Sequence, residues 1–105
     1  MNRGEIYWAD LPEAGRRPAL IVTRSAVIPY RSRVTVAPIT RTIRDIASEV
    51  PLGRKEGLPA RSVASCDNLL TVDKGVFDSK PIGKLAQGRV ALLDRALRFA
   101  LGIRY

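Results

Sequence analysis

The sequence predicts a mainly β protein with one helix, in the form of a small, strongly bent sheet or barrel with a C-terminal amphipathic helix packed on it. Two observations predict this class. Short β-branched and apolar segments bounded by proline and glycine occupy the chain up to residue 72, and apolar residues recur at helical spacing after residue 87. At 105 residues and 46% hydrophobic content, the chain is predicted to form one domain, residues 1–105.

The first two predicted strands form a hairpin. Gly4–Leu11 alternates in a way that permits a strand, and Pro12 and Gly15 then mark a turn. Ala19–Thr23 is a continuous β-branched and apolar run, which is typical of a strand buried on both faces. We therefore expect this second segment to lie in the centre of the sheet.

Three further segments read as strands. Val34–Thr40 is strand-like but contains Pro38, a residue that sheets tolerate only at edges and bulges. A short extended piece ends at Glu49–Leu52, and Ser62–Val72 predicts another strand. Because this last segment has polar residues at its middle, we expect it to present them to a functional site.

The C-terminal segment changes to helical spacing. A helix from about Gln87 to Leu101 fits, and Gly102 is a natural C-terminal stop. Its apolar stripe contains Val90, Leu93, Leu97, Ala100 and Leu101.

The chain is strongly basic, with a net charge of +8 and a pI near 10.6. Between residues 16 and 44 there are seven arginines and no acidic residue, so this stretch alone carries +7. Such a field attracts polyanions, and arginine suits bidentate phosphate contacts. Nucleic acid is the favoured partner class, and a solvated basic surface is the simpler alternative. The arginines are Arg16, Arg17, Arg24, Arg31, Arg33, Arg41 and Arg44.

Composition also excludes several kinds of chemistry. The chain has no histidine, which rules out imidazole metal sites and histidine general bases. Cys66 is the single cysteine, so it forms no intrachain disulfide, and we expect it to be a small buried apolar residue. The N-terminus has no apolar signal segment and no apolar run approaches the roughly 20 residues of a membrane span, so a cytoplasmic protein that does not enter membranes is expected.

Four short motifs follow one another along the chain. They are Arg3–Leu11, Arg16–Val22, Val34–Thr40 and Ser62–Asn68, and the last is followed by Thr71–Lys74. They resemble the MazF/PemK toxins of bacterial toxin–antitoxin modules, and their residue patterns are most similar to those of the mycobacterial branch. The resemblance runs from Arg3 to the C-terminal helix and so covers nearly the whole chain.

The resemblance implies both a fold and an activity. The fold is an SH3-like barrel with a C-terminal helix, usually a homodimer. The activity is ribosome-independent cleavage of single-stranded RNA at short sequences, leaving a 2′,3′-cyclic phosphate and a 5′-hydroxyl, without a metal or other cofactor. The implied protein partner is an antitoxin whose acidic, disordered tail covers the RNA site.

The resemblance also assigns roles to particular residues. The family's catalytic arginine precedes the proline of the second motif, which is Arg17 here, and its catalytic threonine ends the third strand, which is Thr40. Asp67 matches an acidic position that some members use in the RNA site. We predict RNA contacts for a further set of polar residues, namely Arg16, Arg24, Arg31, Arg33, Arg41 and Asn68.

Two departures from the family pattern concern substrate choice. The turn from Pro12 to Arg16 is several residues shorter than the first loop of many relatives, and that loop shapes the RNA groove. Many members also have an arginine at the position of Leu70. The resemblance therefore says less about which RNA sequence this chain recognises than about the reaction that it catalyses.

The chemistry itself needs positive donors, because attack of a ribose 2′-hydroxyl on phosphorus places negative charge on the non-bridging oxygens. The rigid fork of Arg17, with the Thr40 hydroxyl as a second donor, can supply them. The general base stays open at this point. An arginine side chain is too weak an acid to lose its proton readily, which speaks against Arg17 as the base. Nearby arginines weaken Asp67 as an acceptor, and proton transfer through water is a third route.

Two other classes of function remain as alternatives. One is a toxin of the same fold that binds DNA gyrase without catalysis, and the other is a non-catalytic RNA-binding barrel. The simpler roles of the three candidate catalytic residues are an ordinary phosphate contact for Arg17, a strand-end residue for Thr40 and an ion-pair partner for Asp67.

Overall fold

The structure, a computed structural model, describes residues 1–104 of the chain. Over these residues the chain forms seven strands, a C-terminal helix and short 3-10 turns. The elements are β1 (Glu5–Leu11), β2 (Gly15–Ile21), β3 (Arg33–Thr40), β4 (Glu49–Leu52), β5 (Ser62–Ser65), β6 (Leu70–Asp73), β7 (Gly83–Lys84) and α1 (Val90–Leu101).

The strands form one bent antiparallel sheet in the order β4-β5-β3-β2-β1-β7, and β6 also pairs with β3. The predicted hairpin is present, since Leu11 pairs with Gly15 across a turn in which Glu13 has a positive φ of 63°. The bent sheet and the helix packed on it confirm the predicted fold class.

The core consists of two apolar clusters on opposite sides of the sheet. Strand β2 contributes to both, because Leu20 lies in the cluster that packs against α1, whereas Ala19 and Ile21 lie in the other. All three are completely buried. The prediction of a central strand buried on both faces is therefore confirmed.

The prediction of one continuous strand over Ser62–Val72 is wrong. Its residues form β5 and β6 with the 3-10 turn Cys66–Asn68 between them. Strand β3 explains the break, because its first half pairs with β6 and its last two residues pair with β5. At the change of partner lies Pro38, which has no N–H to donate to a further strand. The chain opposite Pro38 therefore leaves the sheet and forms the turn.

Helix α1 begins three residues later than predicted, since Gln87–Arg89 form a 3-10 turn before it. Gly102 ends the helix as expected, with a left-handed φ of 69° and hydrogen bonds from the next N–H groups back to the last turn. An ion pair of 2.7 Å between Arg3 and Asp94 fastens the helix to the N-terminal segment. Among the described residues, no helix has the length and apolar character needed to cross a membrane.

The two-residue strand β7 depends on glycine. A Cβ atom on Gly83 would lie 2.1 Å from the carbonyl oxygen of Glu56, which is a backbone atom and has little freedom to move away. We therefore expect Gly83→Ala to lower the free energy of unfolding by about 2 to 3 kcal/mol. The measurement is urea denaturation. Gly88→Ala is the matched control, because a Cβ atom there meets nothing within 4 Å. Equal stability of the two variants would contradict the close approach of Gly83 to the Glu56 carbonyl group.

Candidate functional site

One cavity of about 590 Å³ brings together the three predicted catalytic residues. Arg17 reaches it from β2, Thr40 from the end of β3, and Asp67 from the 3-10 turn that interrupts the β5 to β6 segment. The β1–β2 turn forms another part of the wall, through Pro12, Glu13 and Ala14. Residues that are far apart in sequence thus face a single open space.

Arg17 is held in place by its neighbour in the hairpin. Its Nε atom donates a hydrogen bond of 3.0 Å to the carbonyl oxygen of Ala14. The half-buried side chain keeps its two terminal guanidinium nitrogens for a ligand, because only Nε makes a hydrogen bond within the described part of the chain. A guanidinium fixed in this way presents its fork to an anion with little loss of rotamer freedom.

Thr40 stands where β3 ends and the loop to β4 begins. Its Oγ1 atom accepts a hydrogen bond of 3.1 Å from the N–H of Thr42, so the hydroxyl proton remains available as a donor. This half-buried hydroxyl faces the same cavity as the Arg17 guanidinium. The pair can therefore supply a cation and a neutral donor to one anion.

The cavity also contains two residues for which the sequence predicted no role in the site, Arg44 and Glu49. The carboxylate of Glu49 accepts hydrogen bonds from the N–H groups of Arg44, at 3.1 and 3.3 Å, and of Asp45, at 3.0 Å. Asp45 has a left-handed φ of 58°, which these bonds stabilise. Arg44 belongs to the basic stretch already noted, but nothing local in the sequence places it in the cavity.

Asp67 and Asn68 lie side by side on the 3-10 turn. The hydroxyl of Ser48 donates a hydrogen bond to Oδ2 of Asp67, and Nδ2 of Asn68 donates a bond of 2.8 Å to Oγ of Ser65. Leu69 and Leu70 continue the wall as apolar surface. The polar residues at the middle of this segment thus line the cavity, and their role in a functional site stays a prediction.

Three of the predicted RNA-binding arginines, Arg24, Arg31 and Arg33, line a second cavity of about 690 Å³. Arg33 is oriented by a hydrogen bond of 2.7 Å from Nη2 to the carbonyl oxygen of Thr71. Leu69 lines both cavities, so the two adjoin at this residue. Together they give a basic surface that extends beyond the catalytic candidates.

Two predicted RNA-binding arginines lie outside both cavities. Arg16 forms ion pairs with Asp78 at 2.7 Å and Asp10 at 3.4 Å, and its guanidinium carbon lies 5.5 Å from the centre of the Trp8 ring. The hydrogen bond to Asp78 is the main reason that the pKa of Arg16 is raised. Arg41 lines a small cleft that it shares with Thr40 and Trp8. RNA contacts by these two arginines, like those by the other predicted residues, stay predictions.

Cys66 is buried beside the site but does not line the cavity. Burial, and to a lesser extent the charge of Asp67, raises the pKa of its thiol to about 11. The thiol is therefore protonated at neutral pH and is a poor nucleophile. The expectation of a small buried apolar residue is confirmed.

A bent β sheet with a C-terminal helix, and a cavity that holds a fixed guanidinium, a hydroxyl and a carboxylate, define a class of small barrel proteins. The comparison with family models is specific within that class. Residues 2–101 match the PemK-like, MazF-like toxins of type II toxin–antitoxin systems. The chain belongs to this family.

Individual relatives agree with this assignment. The chain is similar to the probable endoribonuclease MazF5 of Mycobacterium tuberculosis, with 39% identity over 94% of this chain and 91% of the relative. Among solved structures, M. tuberculosis toxin MazF-mt6 superposes with a TM-score of 0.90 and 39% identity, covering 96% of this chain and 99% of that one. A mycobacterial endoribonuclease in complex with its cognate antitoxin gives a TM-score of 0.87 at 28% identity, covering 100% and 98% of the two chains.

Proposed function

We propose that this chain is a toxin endoribonuclease that cleaves single-stranded RNA in the first cavity by attack of a ribose 2′-hydroxyl on the adjacent phosphorus. The observation that carries the proposal is the convergence of Arg17, Thr40 and Asp67 on one cavity from three separate parts of the chain. A relative that this chain matches over most of its length is named a probable endoribonuclease, which supports RNA as the substrate class.

The proposed role of Arg17 and Thr40 is to stabilise the transition state. As the 2′-oxygen bonds to phosphorus, negative charge builds up on the two non-bridging oxygens. The terminal nitrogens of Arg17 and the hydroxyl of Thr40 donate hydrogen bonds to those oxygens. Donors that are already oriented strengthen this interaction without reorganisation during the reaction, and one such donor is typically worth about 3 to 4 kcal/mol.

The proposed role of Asp67 is to accept the proton of the attacking 2′-hydroxyl. Its carboxylate is the acidic group that the family resemblance assigns to the site, and it lines the cavity together with the two donors. The new bond joins the 2′-oxygen to phosphorus, and the bond from phosphorus to the 5′-oxygen breaks. The departing oxygen takes a proton from water in the open cavity, which leaves a 2′,3′-cyclic phosphate and a 5′-hydroxyl.

The flanking nucleotides are proposed to follow the basic surface past Leu69. Arg44 lies in the first cavity, and Arg24, Arg31 and Arg33 lie in the adjoining one, where they can pair with successive phosphates. Asn68 supplies an amide that can hydrogen-bond to a base edge. Leu70 gives this wall an apolar surface where many relatives have an arginine.

The experiment that tests the function uses purified protein and total RNA in the presence of a chelator, followed by mapping of new 5′-hydroxyl ends. We expect cleavage at a short recurring sequence. RNA that remains intact with a folded sample would overturn the enzymatic proposal and favour a binding protein of the same fold, one that acts on RNA or on gyrase without catalysis.

The proposed partners are a second copy of the chain and an antitoxin with an acidic, disordered segment, and the proposed place of action is the cytoplasm. A neighbour of this fold was solved with its cognate antitoxin. With a charge of +8 per chain, the toxin favours a negatively charged segment that folds on binding.

The antitoxin proposal makes a prediction about salt. Because charge pairing dominates the proposed complex, the affinity of the toxin for the antitoxin peptide encoded beside its gene should fall steeply as the salt concentration rises from about 50 to 500 mM. At the higher concentration the Debye length is only a few ångströms, so the charges are screened from one another. Titration calorimetry at several salt concentrations measures this. An affinity that does not change with salt would count against an acidic segment bound to the basic surface that the two cavities form together.

A further inference from the structure

Behind the Asp67 carboxylate stands a buried hydroxyl that does not itself line the cavity. Ser48 is 1% exposed and lies just before β4. Its Oγ donates a hydrogen bond to Oδ2 of Asp67, and its carbonyl oxygen accepts a bond of 3.0 Å from the N–H of Cys66. Ser48 therefore fixes both the backbone and the acidic side chain of the 3-10 turn.

This contact restricts how the Asp67 carboxylate is presented to the substrate. Asp67 is exposed, so without the bond its side chain could rotate among several rotamers. With Oδ2 occupied by Ser48, Oδ1 is the oxygen without a hydrogen bond to the described part of the chain. A fixed acceptor is worth more to a reaction than a mobile one, because misplacement by about 1 Å can cost about 100-fold in rate.

We propose that Ser48 is a positioning residue for RNA cleavage, which holds the Asp67 carboxylate so that Oδ1 accepts the proton of the attacking 2′-hydroxyl. This inference rests on the proposed function. Ser48 has no contact with substrate in this account and acts only through Asp67. Its effect should therefore appear in the catalytic rate and vanish when Asp67 can no longer accept a proton.

The experiment compares Ser48→Ala, Asp67→Asn and the double variant by steady-state cleavage of a short RNA. We expect Ser48→Ala to lower kcat about 10- to 100-fold with little change in KM. In the Asp67→Asn background, the same substitution should cause no further loss, because the residue through which it acts is already inactive.

Ser62→Ala is the matched control for the loss of a buried hydroxyl. Ser62 is 4% exposed and its Oγ donates a bond of 3.0 Å to the carbonyl oxygen of Ala60. We expect a similar loss of stability from this variant but an unchanged cleavage rate. Equal slowing by Ser62→Ala would attribute the effect to general destabilisation and overturn the inference.

A second measurement needs no substitution at Ser48. In nuclear magnetic resonance spectra of the unmodified protein, the Ser48 hydroxyl proton should exchange slowly with water and show a contact to the Asp67 side chain. Rapid exchange would overturn the inference. Wild-type protein that leaves RNA intact would overturn the proposed function and this inference with it, whereas a cleaving protein whose Ser48→Ala variant is equally fast would overturn this inference alone.

Discussion

Replacing Arg17 by Lys is expected to slow RNA cleavage about 100- to 1,000-fold, which is the usual cost of losing one preorganised donor to the transition state. Lysine keeps the positive charge but cannot present two parallel N–H groups, and it lacks the Nε atom that Arg17 bonds to the Ala14 carbonyl oxygen. RNA affinity should fall far less, because an ammonium still pairs with a phosphate in the ground state.

The measurement for this variant is the single-turnover cleavage rate alongside the dissociation constant for a non-cleavable RNA. Arg61→Lys is the matched control, since Arg61 is an exposed arginine that lines neither cavity. Parallel losses of rate and affinity in Arg17→Lys would show that Arg17 only holds the RNA.

A single 2′-deoxyribose on the 5′ side of the scissile phosphate is expected to abolish cleavage. The proposed reaction has no other nucleophile, because the attacking oxygen belongs to the substrate. Binding should be nearly unchanged, since the phosphates that the arginines contact are intact. Gel analysis of end-labelled RNA measures both quantities, and a deoxyribose placed two nucleotides away serves as the control. Cleavage of the modified RNA would mean that water attacks phosphorus and would contradict the mechanism.

The sequence predicted those elements that depend on interactions between residues close together in the chain. The turn between Pro12 and Gly15, the buried β2 strand and the glycine stop after α1 were all readable, because each depends on residues that are close in the chain. The break at Cys66–Asn68 was not readable in this way. It follows from the pairing of β3 with two different strands around Pro38, and strand partners are set by tertiary contacts.

The candidate site was predictable only in part. Arg16 and Arg17 are adjacent in sequence, but successive residues of a strand point to opposite faces of the sheet. Arg17 therefore faces the cavity, whereas Arg16 pairs with Asp78, a carboxylate that no sequence spacing connects to it. The roles of Arg44 and Glu49 depend on a loop with a left-handed residue, and this loop geometry leaves no simple pattern.

The most direct test of the central claim is a double-mutant cycle between Arg17 and Thr40. Single-turnover cleavage rates are compared for Arg17→Lys, Thr40→Val and the double variant, with Thr40→Ser as the control that keeps the hydroxyl. If both side chains donate to the oxygens of one phosphate, the combined loss should be at least about threefold smaller than the product of the two single losses. A combined loss equal to that product would show that the two residues act independently, and it would contradict a shared phosphate in this cavity.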